Sequence, residues 1–129
     1  MSDTFWNRSP DRVASDLRGM VMRVGRIDAV ILKTDPYKNQ DDTRGLYSSL
    51  HDMQPGSVYF PRFMRSCLMV FAAKDGQVLI RTVEIDGKVF DGPGKTTSRL
   101  GINQGRLRGT TRFLEDGLFE VVMEGVLQQ

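Results

Sequence analysis

Cysteine and histidine are almost absent from this sequence. The chain of 129 residues contains one cysteine, Cys67, and one histidine, His51. A single cysteine excludes a disulfide within the chain and is typical of a reducing compartment, so we expect a cytoplasmic protein. A single histidine excludes a metal cluster built on histidines. A Ser-His-Asp or Cys-His nucleophile is also disfavoured, because neither residue lies in a suitable context.

The chain also lacks long apolar runs and a strong excess of charge. No apolar run approaches the ~20 residues that a membrane-spanning helix needs, so we expect no membrane partner. The length suits a single domain over residues 1–129. The net charge of +2 is a weak argument for a nucleic-acid partner. The basic residues nevertheless cluster at 62–65, 95–99 and 106–112, which indicates either solvated surface or a face that binds a polyanion.

Cap and turn signals divide the chain into short elements. Ser9-Pro10-Asp11 predicts the start of a helix that ends near Gly19, and "DGPGKTTSRLGI" predicts a second short helix. Glycine turns separate β-rich segments, which predicts strands and hairpins. The predicted strands are "MVMRVGRIDAVILKT" with a turn or bulge at Gly25, "SVYF", "SCLMVFAA", "QVLIRTVEI" and two strands in "FLEDGLFEVVMEGV". The pattern predicts an α+β domain, mostly antiparallel, with short helices at its margins.

The stretch "KTDPY" at residues 33–37 has two interpretations. It follows the apolar run "DAVIL", so a buried strand is expected to end there. An Asp-Pro step at a strand end is typical of a turn, and the pattern alone favours this interpretation. A carboxylate with an aromatic side chain two residues on is also suited to general-base chemistry in a pocket.

Five blocks occur in an order that matches one known family. "VASDLRGMVM" looks like the family's first helix and strand, and "VILKTDPY" like its E-T-E-A-Y strand. "MQPGSVYFPRFMRSCLMVF" is similar to its P-G-T-x-Y strand and the hairpin that probes DNA. "VLIRTVEI" resembles its L-L-R-A-x-E-P strand, and "DGPGKTTSRLGIN" its G-P-x-K-L-x-x-A-L-x-I-N element. Along nearly its whole length the chain resembles the alkyladenine (methylpurine, 3-methyladenine) DNA glycosylases.

This resemblance implies a fold and an activity. The fold would be a curved, mostly antiparallel β-sheet with short flanking helices. The activity would be base-excision repair, in which a monomeric protein flips an alkylated or deaminated purine out of duplex DNA and hydrolyses its N-glycosidic bond. The family uses neither a metal nor a cofactor. Its work on DNA implies a location at the nucleoid or, in a eukaryote, in the nucleus.

The resemblance also assigns roles to individual residues. Asp35 falls at the position of the family's water-activating glutamate, and Met64 at the position of the residue that wedges into the duplex. The base pocket would be formed by Tyr37, Tyr47, Tyr59, Phe71 and Arg81, and the phosphates of DNA would be held by Arg62, Arg65 and Lys95.

The sequence departs from the family pattern inside the expected pocket. Asp35 stands where the family has a glutamate, Pro61 where it has a stacking aromatic, and Phe71 where it has an asparagine that sorts purines. The histidine that clamps the base has no match, and the loop at 38–54 is shorter. Two other hypotheses therefore stay open. One is a protein that binds DNA without releasing a base, and the other is a domain that binds a small molecule.

Overall fold

Eight strands and two helices make up the part of the chain that the structure describes. This structure is a computed structural model and describes residues 3–38, 53–59, 69–102 and 108–124. In chain order the elements are a 3-10 turn at Asp3–Phe5, α1 (Pro10–Leu17), β1 (Val21–Val24), β2 (Ile27–Lys38), β3 (Val58–Tyr59), β4 (Met69–Ala73), β5 (Gly76–Ile85), β6 (Lys88–Asp91), α2 (Pro93–Leu100), β7 (Arg108–Glu115) and β8 (Leu118–Glu124). Neither of the two helices is long and apolar enough to cross a membrane.

Helix α1 forms where its cap signals predict it. Ser9 is the N-cap, and its hydroxyl oxygen accepts a hydrogen bond from the backbone N–H of Arg12. Pro10 occupies the first helical position, where its missing N–H leaves no helical bond unmade. The apolar stripe that includes Val13 and Leu17 is fully buried. The amphipathic pattern of this segment therefore predicts both the helix and the face that it buries.

The predicted hairpins are confirmed. The chain reverses at residues 25–26, 74–75, 86–87 and 116–117, and each reversal joins two antiparallel strands that follow one another in sequence. Asp75 and Asp86 have positive φ angles of 59° and 53° in these turns. Aspartate tolerates this left-handed backbone conformation better than most residues. Short-range turn chemistry thus fixes four of the strand pairings.

Strand β2 is longer than the sequence pattern predicts. The predicted strand ended at Thr34, with Asp35-Pro36 favoured as a turn, whereas β2 continues through both residues to Lys38. Its ladder with β5 runs as far as the pair Lys38 and Gly76. A residue that precedes proline is sterically biased towards extended backbone, so the Asp-Pro step is compatible with a strand.

The sheet closes on itself, which corrects the predicted fold class. The strand order is β2-β1-β8-β7-β3-β4-β5-β6, and β2 also pairs with β5. This additional pairing closes seven strands into a barrel, and β6 extends beside β5 outside the ring. The predicted curved sheet with flanking helices, like that of the methylpurine glycosylases, is therefore wrong. The barrel is mixed rather than antiparallel throughout, because β1 and β8 run parallel.

Aromatic side chains fill the interior of the barrel. Trp6, which precedes α1, stacks on Phe71 with ring centroids 5.3 Å apart and meets Phe119 edge-on at 5.5 Å. The hydroxyl of Thr34 on β2 donates a hydrogen bond of 2.7 Å to the carbonyl of Ala14, so α1 is fixed to the barrel wall. The described part of the interior is thus occupied by side chains.

Replacing Trp6 with alanine should strongly destabilise the barrel. The residue is 3% exposed and is the only tryptophan of the chain. Because its removal leaves a cavity among the aromatic rings, we expect the free energy of unfolding to fall by about 3–5 kcal/mol. Urea unfolding followed by circular dichroism measures this change. Val89→Ala, at an exposed apolar residue, is the control and should stay within about 0.5 kcal/mol of the parent protein. Similar small effects of both variants would contradict the buried position of Trp6.

Candidate functional site

The two faces of the barrel wall carry different side chains. On β4, Phe71 belongs to the interior core, whereas Val70 belongs to a second apolar cluster. Because side chains alternate along a strand, this second cluster lies on the outside of the barrel. Strand pairing aligns one residue from each of five strands in a single row across this face. In order, the row contains Arg108 on β7, Tyr59 on β3, Val70 on β4, Leu79 on β5 and Asp35 on β2. We call it the outer row.

An ion pair stands at the β2 end of the outer row. Nε of Arg81 donates a hydrogen bond of 2.5 Å to Oδ2 of Asp35, and Nη2 contacts the same oxygen. The two side chains are 39% and 34% exposed, so the pair is open to solvent on one side. Hydrogen bonding to Asp35 is the largest cause that raises the pKa of Arg81, and a bond with Tyr37 adds to it. Within the described residues, Oδ1 of Asp35 accepts no hydrogen bond, so one oxygen is anchored and the other is available.

A β-bulge brings Arg81 to this position. The register between β2 and β5 shifts on both sides of Lys33, so that Arg81 is left without a partner on β2. Its carbonyl oxygen accepts a hydrogen bond of 3.1 Å from the N–H of Gly92 and one of 3.0 Å from the hydroxyl of Thr96. Bulges bend a strand and redirect side chains, which is how the guanidinium comes to lie diagonally across from Asp35.

Two tyrosines flank the apolar middle of the outer row. Tyr37 and Tyr59 are partly buried against Val70 and Leu79. The guanidinium carbon of Arg108 lies 5.8 Å from the centroid of the Tyr59 ring, within the range of a cation–π contact. Val70 and Leu79 are buried, whereas the two tyrosines are partly exposed, so the tyrosine rings are the groups on which a flat heteroaromatic ring can stack.

Further positive charges lie on the other side of Arg81. Asp91 on β6 accepts a hydrogen bond of 2.8 Å from Thr82, and its Oδ1 is 3.8 Å from Nζ of Lys33. The bond from Thr82 is the largest cause that lowers the pKa of Asp91. The charges of Lys33, Lys95 and Arg81 lower it further. Lys33, Lys95 and Arg81 therefore surround Asp91, and Arg81 links this group of cations to Asp35. Such a concentration of positive charge suits an anionic ligand.

The structure brings together part of the predicted site. Asp35, Tyr37, Tyr59 and Arg81 lie on the same outer face, and Lys95 on α2 is near enough to act on Asp91. Phe71 is separated from them. It is 0% exposed and stacks on Trp6 inside the barrel, so it lines no accessible pocket in this structure. The remaining predicted residues, Tyr47, Arg62, Met64 and Arg65, lie outside the described residues.

Several residues of the outer face were not predicted from the sequence. Arg108 belongs to the basic cluster at 106–112, which the sequence indicates as solvated surface or a polyanion-binding face without singling out this residue. Val70 and Leu79 lie in continuously apolar strands, where no alternation shows which residues point outward. An alternation of apolar and polar residues would have shown which residues point outward. These strands lack that alternation, because both of their faces are apolar.

Neither comparison with known proteins nor a search for metal ligands assigns a further role to these residues. A scan against protein-family models and a search of curated proteins give no significant match. The resemblance to the alkyladenine DNA glycosylases therefore stays a hypothesis that rests on the sequence blocks. Among the described residues, no group of three or more His, Cys, Asp or Glu side chains could hold a metal ion.

The role of Thr96 can be tested by changing it to valine. Valine has nearly the same shape but cannot donate to the Arg81 carbonyl, so we expect the free energy of unfolding to fall by about 1–2 kcal/mol. The released carbonyl should also shift the NMR resonance of the Arg81 Nε–H group. Thr97→Val is the matched control, because Thr97 is equally buried and bonds only within α2, to Pro93 and Gly94. If both variants shift the Arg81 resonance equally, the hydrogen bond from Thr96 does not specifically position Arg81.

Proposed function

We propose that this protein is a DNA N-glycosylase that releases a modified purine from duplex DNA. The observation that carries the proposal is the partly exposed Asp35–Arg81 pair next to Tyr37, at one end of an apolar and aromatic row on the outer face of the barrel. A hydrolytic glycosylase needs a fixed carboxylate with one available oxygen and a surface on which the extruded base can stack. Both are present within one cross-strand row.

The proposed reaction uses Asp35 as a general base. Arg81 holds Oδ2, and Oδ1, which accepts no hydrogen bond within the described residues, would accept one from water. The water oxygen attacks the sugar carbon that carries the base, and its proton passes to Asp35. The bond between this carbon and the purine nitrogen breaks, and the purine leaves with the bonding electrons and takes up a proton. Extruding a base costs a few kcal/mol, and least for a base that pairs poorly, which favours damaged purines.

The cations around the outer row would hold the DNA backbone. Lys95 is exposed on α2 and lines an open cleft with Phe90 and Arg99. Arg108 is exposed at the opposite end of the row. Two positive groups on either side of the carboxylate fit phosphates that flank one extruded nucleotide. Phosphate contacts of this kind fix the register of a protein on a duplex without reading its sequence.

A second candidate is a protein that binds DNA without releasing a base. The observation in its favour is that two nitrogens of Arg81 already engage Asp35. An arginine–carboxylate pair of this kind also serves simply to hold two strands together. The two candidates share the DNA contact and differ only in the chemical step, so one pair of measurements separates them.

The chemical step is tested by base release. Labelled duplexes with hypoxanthine, ethenoadenine or 7-methylguanine are incubated with the protein, and alkali then cleaves the abasic strand. We expect Asp35→Asn to lower the rate by at least about 10²-fold, because it removes the general base. Asp28→Asn is the matched control. Asp28 accepts hydrogen bonds from Nε and Nη2 of Arg23 at the other end of β2, so the same type of exposed pair is broken away from the site. Release that is equally fast in both variants would remove Asp35 from the mechanism.

DNA contact is tested by the salt dependence of binding. Each phosphate contact contributes about −0.9 to the slope of log K against log salt concentration, so Lys95→Gln should make the slope shallower by about one. Arg26→Gln, at the exposed turn between β1 and β2, should leave the slope unchanged. Salt-sensitive binding without base release would favour the second candidate. Binding that does not respond to salt would exclude both.

A further inference from the structure

Gln77 on β5 holds a buried amide nitrogen that has no hydrogen-bond partner. The residue is 1% exposed, and within the described part of the chain no atom accepts a hydrogen bond from its Nε2. Desolvating a donor without pairing it is unfavourable, and native proteins retain few such groups. The four buried threonines of the structure, at 34, 82, 96 and 97, each donate a hydrogen bond. Within the described residues, Nη2 of Arg8 is the other buried side-chain nitrogen without a partner, and each of the two needs a physical reason.

The position of Gln77 places this amide in the functional site. Its neighbour Val78 points into the core, so Gln77 points outward, on the same side as Leu79. It pairs with Tyr37 on β2 and with Ala72 on β4. Residues that are directly opposite one another have Cβ atoms about 4.5–5.5 Å apart on the same face. A flat ring that stacks on Tyr37 would therefore lie within reach of the Gln77 amide.

We infer that Gln77 is the specificity-determining residue of this site, and that its Nε2 donates a hydrogen bond to an acceptor atom of the bound purine. This inference rests on the proposed function, because it assigns the ligand of the same surface. The side chains of Leu79 and Ala72 are aliphatic and have no acceptor to offer the amide. A purine supplies several acceptors on its edge, namely the ring nitrogens and, in hypoxanthine, a carbonyl oxygen. The unpaired donor is thus completed by the ligand rather than by the protein.

A buried donor discriminates between ligands more strongly than an exposed one. A ligand that lacks the matching acceptor leaves the amide unpaired in an environment without water, whereas the matching ligand removes the penalty that the free protein already carries. Gln77 should therefore lower the stability of the protein without ligand and raise its affinity for one class of base. These two effects have opposite signs and can be measured separately in the same variant.

The test replaces Gln77 with methionine, which has a similar length and no donor. We expect the melting temperature to rise by about 2–8 °C, because the unpaired amide is gone. We expect affinity for a hypoxanthine duplex to fall by about 10- to 100-fold, because a base acceptor then loses its donor. Binding is measured in the Asp35→Asn background to prevent turnover. Gln54→Met is the matched control, since Gln54 is exposed and should change neither quantity.

Base analogues then identify the acceptor. The duplexes carry hypoxanthine, purine without the carbonyl oxygen, or 7-deazahypoxanthine without the nitrogen at position seven. In the Asp35→Asn protein with Gln77 present, the analogue that lacks the true acceptor should bind more weakly than hypoxanthine. Adding Gln77→Met should not weaken the binding of that analogue further. The inference would be overturned if the effects of Gln77→Met and of each analogue on affinity were additive. It would also be overturned if Gln77→Met lowered the melting temperature.

These outcomes separate the inference from the proposed function. If the parent protein releases the base and the losses of affinity are additive, the proposed glycosylase activity is supported and Gln77 does not determine specificity. If the losses of affinity are non-additive but no base is released, Gln77 recognises the base in a protein that only binds DNA. If none of the duplexes binds, isothermal titration calorimetry with inosine tests the inference directly. Binding of inosine that is lost in Gln77→Met supports the inference, and no binding overturns it.

Discussion

The pairing of β2 with β5 is the constraint on which the rest of the structure depends. Without it the strands would form an open sheet whose faces are both accessible. With it, the wall has an interior that aromatic side chains fill and an exterior that carries the outer row. The same ladder sets Asp35 opposite Leu79 and Tyr37 opposite Gln77. The contact that closes the barrel is therefore also the contact that assembles the site.

The bulge in this ladder links architecture to chemistry. The register shift leaves Arg81 without a partner on β2. Its carbonyl faces the β6 side of β5 and accepts hydrogen bonds from Gly92 and Thr96, at the junction of β6 and α2. The short segment after β6 therefore acts on the carboxylate of Asp35 through the backbone of Arg81. This dependence gives a structural reason for the strand and helix that lie outside the closed ring.

Local elements were predictable from the sequence, and their assembly was not. Ser9-Pro10 and the four tight turns act within a few residues, so α1 and the hairpins follow from short-range chemistry. Closure depends on β2 continuing past Asp35 to meet β5, and nothing in "KTDPY" specifies a distant partner strand. Asp35 and Tyr37 were expected together because the resemblance placed both in the base pocket, and they do lie two apart on β2. The resemblance also placed Phe71 in the pocket, although it faces the core. Every residue of β4 is buried, so the sequence of the strand gave no sign of direction that could correct this placement.

The parallel contact between β1 and β8 also determines when the barrel can form. Val21 pairs with Leu118, so the ring joins strands from opposite ends of the described chain. During synthesis the hairpins can form as they emerge, but the seam cannot close until the last strand is available. Contacts between residues so far apart in sequence carry a large loop-closure entropy and are typical of proteins that fold in milliseconds to seconds. The outer row would thus take its final shape late, after the strand that completes the ring has docked.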